Sequence, residues 1–306
     1  MKKTELLAAV AALVIAAAPA IAETAWTPFK LREVSGIRPF VAVALNGVPF
    51  EFMIHSNAGF FAMTGHANAA SAGIGPIAST DPAYGITAPG QVSQMGKGTA
   101  ILKMLKVGDN IMNDVPLKVF ETPQEQKMDG MLGIGWLRAN HAIVDFSDLR
   151  LGVPRSEADS ASLNTTLLEH GYAAYPLTWN GAKTEYSLTA EVNGKPASFI
   201  VSTVSHLVID EHLAKQASIQ LTEPVATYGG PTGATGHQYA NASEVALKIG
   251  GKRAAVPTAS IYDIYAYDGE RRPPEGEQIG GYLGAEFMLP NKAIIDFGNG
   301  TLYLKK

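Results

Sequence analysis

The chain contains no cysteine. That excludes disulfide staples, thiolate metal sites, a cysteine nucleophile and a cysteine-borne lipid anchor, so the core alone must hold the fold. At 306 residues, 46% of them hydrophobic, there is enough chain for that. Charge is sparse as well, at 17% of residues with a formal net charge of −4 and no basic run, which argues against a nucleic-acid partner. Beyond the N-terminus no apolar run reaches spanning length, so no membrane crossing is expected in the mature chain. Neither Gly-x-Ser-x-Gly nor His-Glu-x-x-His occurs, which removes the local signatures of a nucleophile elbow and of a helical zinc site. Helical periodicity is scarce, with only 65–73 and 210–218 as short candidates.

The N-terminus reads as a targeting segment. Lys2 and Lys3 precede an apolar run from Leu6 to Ala18, Pro19 breaks it, and Ala20-Ile21-Ala22 forms a small-x-small cleavage site. Residues 1–22 are therefore expected to be a signal peptide, with the mature chain starting at Glu23 and reaching the periplasm of a bacterium or the exterior. Losing Lys2, Lys3 and Glu5 would make the mature protein one unit more negative.

What the chain does have is a repeat. "MDGMLGIGWLRANHAIVDF" (128–146) aligns without gaps with "IGGYLGAEFMLPNKAIIDF" (279–297), sharing among others Gly130/Gly281, Leu132/Leu283, Gly133/Gly284 and Asp145/Asp296. Earlier, "LNGVPFEFMIHSNAGF" (45–60) aligns with "VNGKPASFIVSTVSHL" (192–207) at nearly the same spacing. Two matches in one order indicate two copies of a module. Both copies are β-rich. Apolar runs surround the hairpin dipeptides Asn46-Gly47 and Asn193-Gly194, and short β-branched strands end in Asp-Phe. These signals divide the chain into an N-terminal lobe over 23–154, a polar linker over 155–171 and a C-terminal lobe over 172–306.

Each copy thus runs through an Asn-Gly hairpin, an apolar "FMI" or "FIV" strand, a tight turn, a Gly-rich stretch, "DGMLG" or "GGYLG", and a strand ending in "DF". This order resembles the retropepsin-like (clan AA) aspartic proteases, in tandem, over nearly the whole mature chain. The resemblance implies an all-β fold of two barrel lobes with a cleft between them. It also implies one Asp-Thr/Ser-Gly turn per lobe. In that chemistry two adjacent carboxylates share a proton and act as base on water and acid on the amide. Here the turns read His55-Ser56-Asn57 and Ser202-Thr203-Val204. The hydroxyl positions that join the turns match. The carboxylates are absent, and Asn57 and Val204 stand where the family has Gly. A β-branched Val tolerates left-handed backbone poorly, so the second turn is expected to be reshaped.

Other chemistry is weakly signalled. Asp129, Asp145 and Asp296 read as turn-formers, and Asp81, Asp210 and Asp263 as caps or solvated turns. His55 and Ser202 would face each other across the cleft, but no orienting acid or oxyanion motif accompanies them. The spacing of His206 and His212 suits no metal, and neither a metal nor another cofactor is expected. Tyr84-Gly85 and Tyr228-Gly229 open Gly-rich stretches at equivalent places, where flaps would cover a cleft. The segment 262–278, rich in tyrosine and carrying Arg271-Arg272, lengthens copy two only and reads as a solvated insertion more readily than as a specificity loop. The expected function is non-catalytic binding of an extended peptide or protein segment by a monomer. A peptidase with residual or relocated catalysis, or a purely structural partner, remains open.

Overall fold

The computed structural model describes residues 24–33, 36–82, 84–88, 91–122, 127–229, 234–276 and 278–306. The expected signal peptide over 1–22 lies outside them. The chain builds two β lobes joined by a shared sheet, with few and short helices.

Each lobe starts from a hairpin. Strands Ile37–Leu45 and Val48–His55 pair around Asn46-Gly47, and strands Glu185–Val192 and Lys195–Val201 around Asn193-Gly194. All four turn residues have positive φ, the geometry that favours Asn-Gly there. The chain then turns and runs out along Ala62–Thr64 in one lobe and Leu207–Asp210 in the other. Much later in sequence, Gly130–Gly133 slots between the two arms of the first turn, parallel to Val48–His55 and antiparallel to Ala62–Thr64. Ile279–Leu283 does the same in the second lobe. The Gly closing each Leu-Gly motif is required by this closeness. A side chain at Gly133 would collide with the carbonyls of Phe60 and Ala58, and one at Gly284 with those of Val204, Ser205 and His206.

The repeated "DF" strands meet each other. Ile143–Asp145 and Ile294–Asp296 pair antiparallel with Val144 opposite Ile295, residues that the sequence repeat had already matched. The pseudo-twofold axis passes between them. Around this pair lie Arg150–Val153 and Ala25–Glu33 on one side, and Thr301–Lys305 and Tyr172–Pro176 on the other. Asp145 accepts from the amides of Ser147 and Asp148 and from Arg150, and Asp296 accepts from those of Gly298 and Asn299. Both are turn-formers, as read from the sequence. Matched side chains also fill the core: Phe52 and Phe199, Leu132 and Leu283, Trp136 and Phe287 are all fully buried. Each large apolar side chain contributes about 1.5–3 kcal/mol on burial.

One expectation changes. The segment 155–171, expected to be a polar linker, contains the longest helix among the described residues, Glu157–Glu169. Ser156 and Asp159 form a capping box that starts it. Its apolar face is narrow, which hid it from a search for periodicity. Leu167 packs against Ile143, Ile294 and Tyr303 beneath the shared sheet, and Asn164 accepts from the Tyr303 hydroxyl.

Candidate functional site

The two turns meet at the base of the inter-lobe cleft. The Ser56 amide donates to the Thr203 hydroxyl (2.9 Å), and the Thr203 amide donates to the Ser56 hydroxyl (3.0 Å). The Thr203 hydroxyl donates in turn to the Ile54 carbonyl (2.7 Å), and the Ser56 hydroxyl lies 3.2 Å from the Val201 carbonyl. Ser56 and Thr203 are buried at 2% and 0% exposure, so this reciprocal clamp is made away from competing water.

Around the clamp the turns differ. The first closes on itself, with the Ala58 amide donating to the His55 carbonyl (3.1 Å) and the Asn57 amide to His55 Nδ1 (3.3 Å). In the second, the Ser202 hydroxyl accepts from the Val204 amide (3.3 Å) and donates to the Val204 carbonyl (3.1 Å). The Ser205 amide donates to the Ile37 carbonyl of the other lobe instead (2.7 Å). Neither Asn57 nor Val204 has positive φ; the left-handed residue is Ser205, at φ 67°. The second turn is indeed reshaped, but the sequence-based reason was wrong. Val204 is not forced into left-handed backbone. It packs on Phe40 and Met53, and the strain sits one residue later.

The cleft above has a volume of about 470 Å³ and is walled by both lobes. His55, Asn57, Ser202 and Val204 line its base, and Ser56 and Thr203 lie beneath. Asn57 donating to His55 Nδ1 fixes that nitrogen as an acceptor, so the neutral ring carries its proton on Nε2. Burial, and then the Arg38 charge, push the His55 pKa down to about 3, so the imidazole is neutral at ordinary pH. The Ser202 hydroxyl is committed to Val204, which leaves no activated nucleophile in this pair.

Of the expected flap residues, Tyr84 and Gly85 line the cleft, and the Tyr84 ring stands edge-on to Phe120 with centroids 5.2 Å apart. Tyr228 belongs to the hairpin of strands Ala226–Gly229 and Thr235–Ala240. It reaches the site indirectly, stacked against Tyr262 and Tyr267. Those tyrosines come from the insertion, where the solvated reading fails. Arg272 binds Asp210 through two bonds (2.6 and 3.0 Å) and Asp263 through a third (2.9 Å). Asp210 and Asp263 also cap helices Glu211–Gln216 and Ile264–Asp268, as expected of them. Held in this way, the insertion turns Tyr262, Tyr267 and Asp268 into the cleft, beside Tyr282.

Sequence reasoning also missed Arg38, Glu185 and Tyr282. The signals were faint but present. Arg38 is the one charge in the apolar strand Ile37–Leu45, Glu185 is its register equivalent in copy two, and Tyr282 takes the place of Met131 in the Leu-Gly motif. Asp129 is structural, accepting from the Glu51 amide (2.9 Å). His66 and His206 each pair with one glutamate, Glu121 and Glu286, and among the described residues no cluster of acidic and histidine side chains could hold a metal.

Known proteins now place this architecture. A family model for aspartyl protease matches residues 188–287, which include the second turn and its Leu-Gly motif. The aspartic proteinase of Irpex lacteus superposes with a TM-score of 0.52 over 92% of this chain and 97% of its own, at 11% identity. The chain has the fold of that aspartic proteinase. Soybean basic 7S globulin is also similar, with a TM-score of 0.46 at 10% identity over 92% of this chain and 95% of its own. No curated protein matches in sequence. At such identities the likeness to the Irpex lacteus enzyme concerns the fold, so the activity of this chain has to be argued from its own residues.

Proposed function

We propose that the protein is exported and binds an extended peptide or protein segment in the inter-lobe cleft without cleaving it. The observation that carries this reading is the base of the cleft. The turns keep the buried hydroxyl clamp, while His55 and Ser202 stand where a proton-sharing carboxylate pair would be needed. His55 Nδ1 already accepts from the Asn57 amide and burial lowers its basicity, and the Ser202 hydroxyl is committed to Val204, so this pair offers a poor base for water and no carboxylic acid for the amide. His55 Nε2–H can instead donate to a carbonyl of a bound segment. The cleft is open and walled by both lobes, with Tyr84 and Gly85 among its lining residues, so an extended segment can lie along it. Export rests on the leader-like N-terminal residues.

Two measurements test this. Incubated with an unfolded protein from about pH 3 to about pH 8, the purified protein is expected to leave it intact, because no carboxylate pair is present at the turns. Cleavage that disappears in His55→Ala would overturn the reading. Binding of short acetylated and amidated peptides, followed by fluorescence anisotropy, is expected to weaken by about tenfold in His55→Phe, about 1.4 kcal/mol. Equal binding by His55→Phe would remove the cleft base from the site.

A further inference from the structure

The register of the two hairpins makes Arg38 and Glu185 equivalent. Val41 opposes Phe52 in one lobe, and Leu188 opposes Phe199 in the other, so three residues earlier on each strand stand Arg38 and Glu185. Both line the cleft. The pseudo-symmetric molecule therefore faces its ligand with opposite charges from its two halves. On the C-terminal side the negative charge is reinforced. Asp268 lies on the same wall and receives the Tyr282 hydroxyl at 3.5 Å. Tyr262 and Tyr267 stand beside it with ring centroids 5.6 Å apart. Two carboxylates among aromatic faces form an environment that attracts a cation both by charge and through the ring quadrupoles.

We infer that this wall is a subsite for a lysine or arginine side chain of the bound segment, with Asp268 and Glu185 as its charge partners and Tyr262, Tyr267 and Tyr282 as its aromatic lining. The inference rests on the peptide-binding reading and names the residue class that the cleft selects. The local charge balance supports it. Of the cations near this wall, Arg38 lines the same cleft from the other lobe and acts on Tyr267, whereas Lys183 is paired with Glu270 (2.9 Å) at the mouth of a neighbouring cavity that also reaches Asp268 and Glu185. Among the described residues neither Asp268 nor Glu185 has an ion-pair partner within 4.0 Å, so a ligand cation would meet two carboxylates already stripped of much of their water. Burial raises both, Asp268 to about 6.

The groups facing Asp268 fix the expected pH dependence. Glu270 raises its pKa, whereas Lys183 and the Tyr282 hydroxyl lower it. Tyr262, Tyr267 and Tyr282 all have raised pKa values and remain neutral. A bound cation favours the carboxylate, so affinity for a basic residue is greatest above about pH 6 and falls as Asp268 protonates below it.

The test uses the purified protein and one peptide frame of alanine and leucine, acetylated and amidated. Its central residue is lysine, arginine, norleucine or glutamate. Lysine and arginine peptides are expected to bind at least about fivefold more tightly than norleucine, and glutamate most weakly. The preference is expected to shrink below about pH 6 and to be lost in Asp268→Asn/Glu185→Gln. That variant keeps side-chain shape and is checked for an unchanged folded spectrum. If the peptides bind without preference, or glutamate binds best, the subsite inference fails while the peptide-binding reading stands. If the preference survives Asp268→Asn/Glu185→Gln, it arises elsewhere and the inference fails. If no peptide of the series binds, both fall.

Discussion

The two turns at the base of the cleft, His55 to Ala58 and Ser202 to Ser205, have the same ancestry in the repeat and different surroundings. They agree where they touch each other. Ser56 and Thr203 exchange amide-to-hydroxyl bonds in both directions, fully buried. They disagree where they face the cleft: one carries a neutral imidazole, the other a hydroxyl tied to its own turn. Joining two lobes about a twofold axis constrains the groups on that axis in pairs, whereas the cleft wall is free to differ between lobes. If the clamp is what holds the base together, breaking it has the largest effect available here. Thr203→Val keeps the side-chain shape but removes the acceptor of the buried Ser56 amide and the hydroxyl donor of the Ile54 carbonyl. The expected loss is about 2–4 kcal/mol in urea unfolding, and Ser56→Ala is expected to behave alike. Because the two hydroxyls serve one network, the double variant should lose less than the sum. A loss below about 0.5 kcal/mol in either single variant would show that the lobes are held by the shared sheet alone.

The cleft walls extend the contrast to charge. His55 and Asp268 are both titratable groups in one cleft, and burial moves each toward its neutral form, so they act on stability with opposite signs over overlapping pH windows. The His55 pKa is depressed on folding, from 6.5 to about 3. The unfolded chain then binds the extra proton as pH falls through about 6.5, and stability declines from there toward about pH 3. The Asp268 pKa is raised, from 3.8 to about 6. Its contribution is fully present below about pH 3.8 and is lost as pH rises through about 6. Asp268→Asn is accordingly expected to raise the melting temperature at about pH 7–8 and to leave it unchanged below about pH 4. His55→Phe should flatten the decline between about pH 6.5 and pH 3. If Asp268→Asn lowers the melting temperature at neutral pH, the carboxylate is satisfied in the folded protein and the contrast between the walls is wrong.

How far this could be read from the sequence follows from what a repeat carries. Positions used twice were legible as elements: the Asn-Gly hairpins, the Leu-Gly motifs and the "DF" strands, though not that the last pair with each other, while the Ser56 and Thr203 clamp came from the family resemblance. Each is fixed by local backbone geometry or by its mate. Positions used once were not legible. The helix Glu157–Glu169 has no copy, and its few apolar contacts are too widely spaced to show a period. The insertion carrying Tyr262, Tyr267 and Asp268 read as solvated because nothing local reveals that Arg272 folds it back onto Asp210. Arg38 and Glu185 became visible as a pair only when strand register aligned them. Val204 shows a different kind of miss. The family pattern suggested that left-handed backbone was needed there, whereas the turn places its positive φ on Ser205.

That displacement gives the finest way to separate the two turns. Ala58 and Ser205 are equivalent in the repeat, each three residues past the first residue of its turn. Ser205 has φ 67°, and Ala58 is not among the positive-φ residues. A Cβ in left-handed backbone clashes with the neighbouring peptide, and glycine escapes this at the cost of greater freedom in the unfolded chain. The same pair of residues should therefore rank in opposite order at the two sites. At position 58 glycine is expected to be less stable than alanine by about 0.5–1 kcal/mol. At position 205 glycine is expected to be more stable than alanine by about 1 kcal/mol. Comparing Ser205→Gly with Ser205→Ala, rather than with wild type, cancels the loss of the serine hydroxyl and isolates the backbone. Urea unfolding of Ala58→Gly, Ser205→Ala and Ser205→Gly beside wild type measures both differences. If alanine is preferred at both positions, Ser205 is not held left-handed, and the second turn closes as the first does.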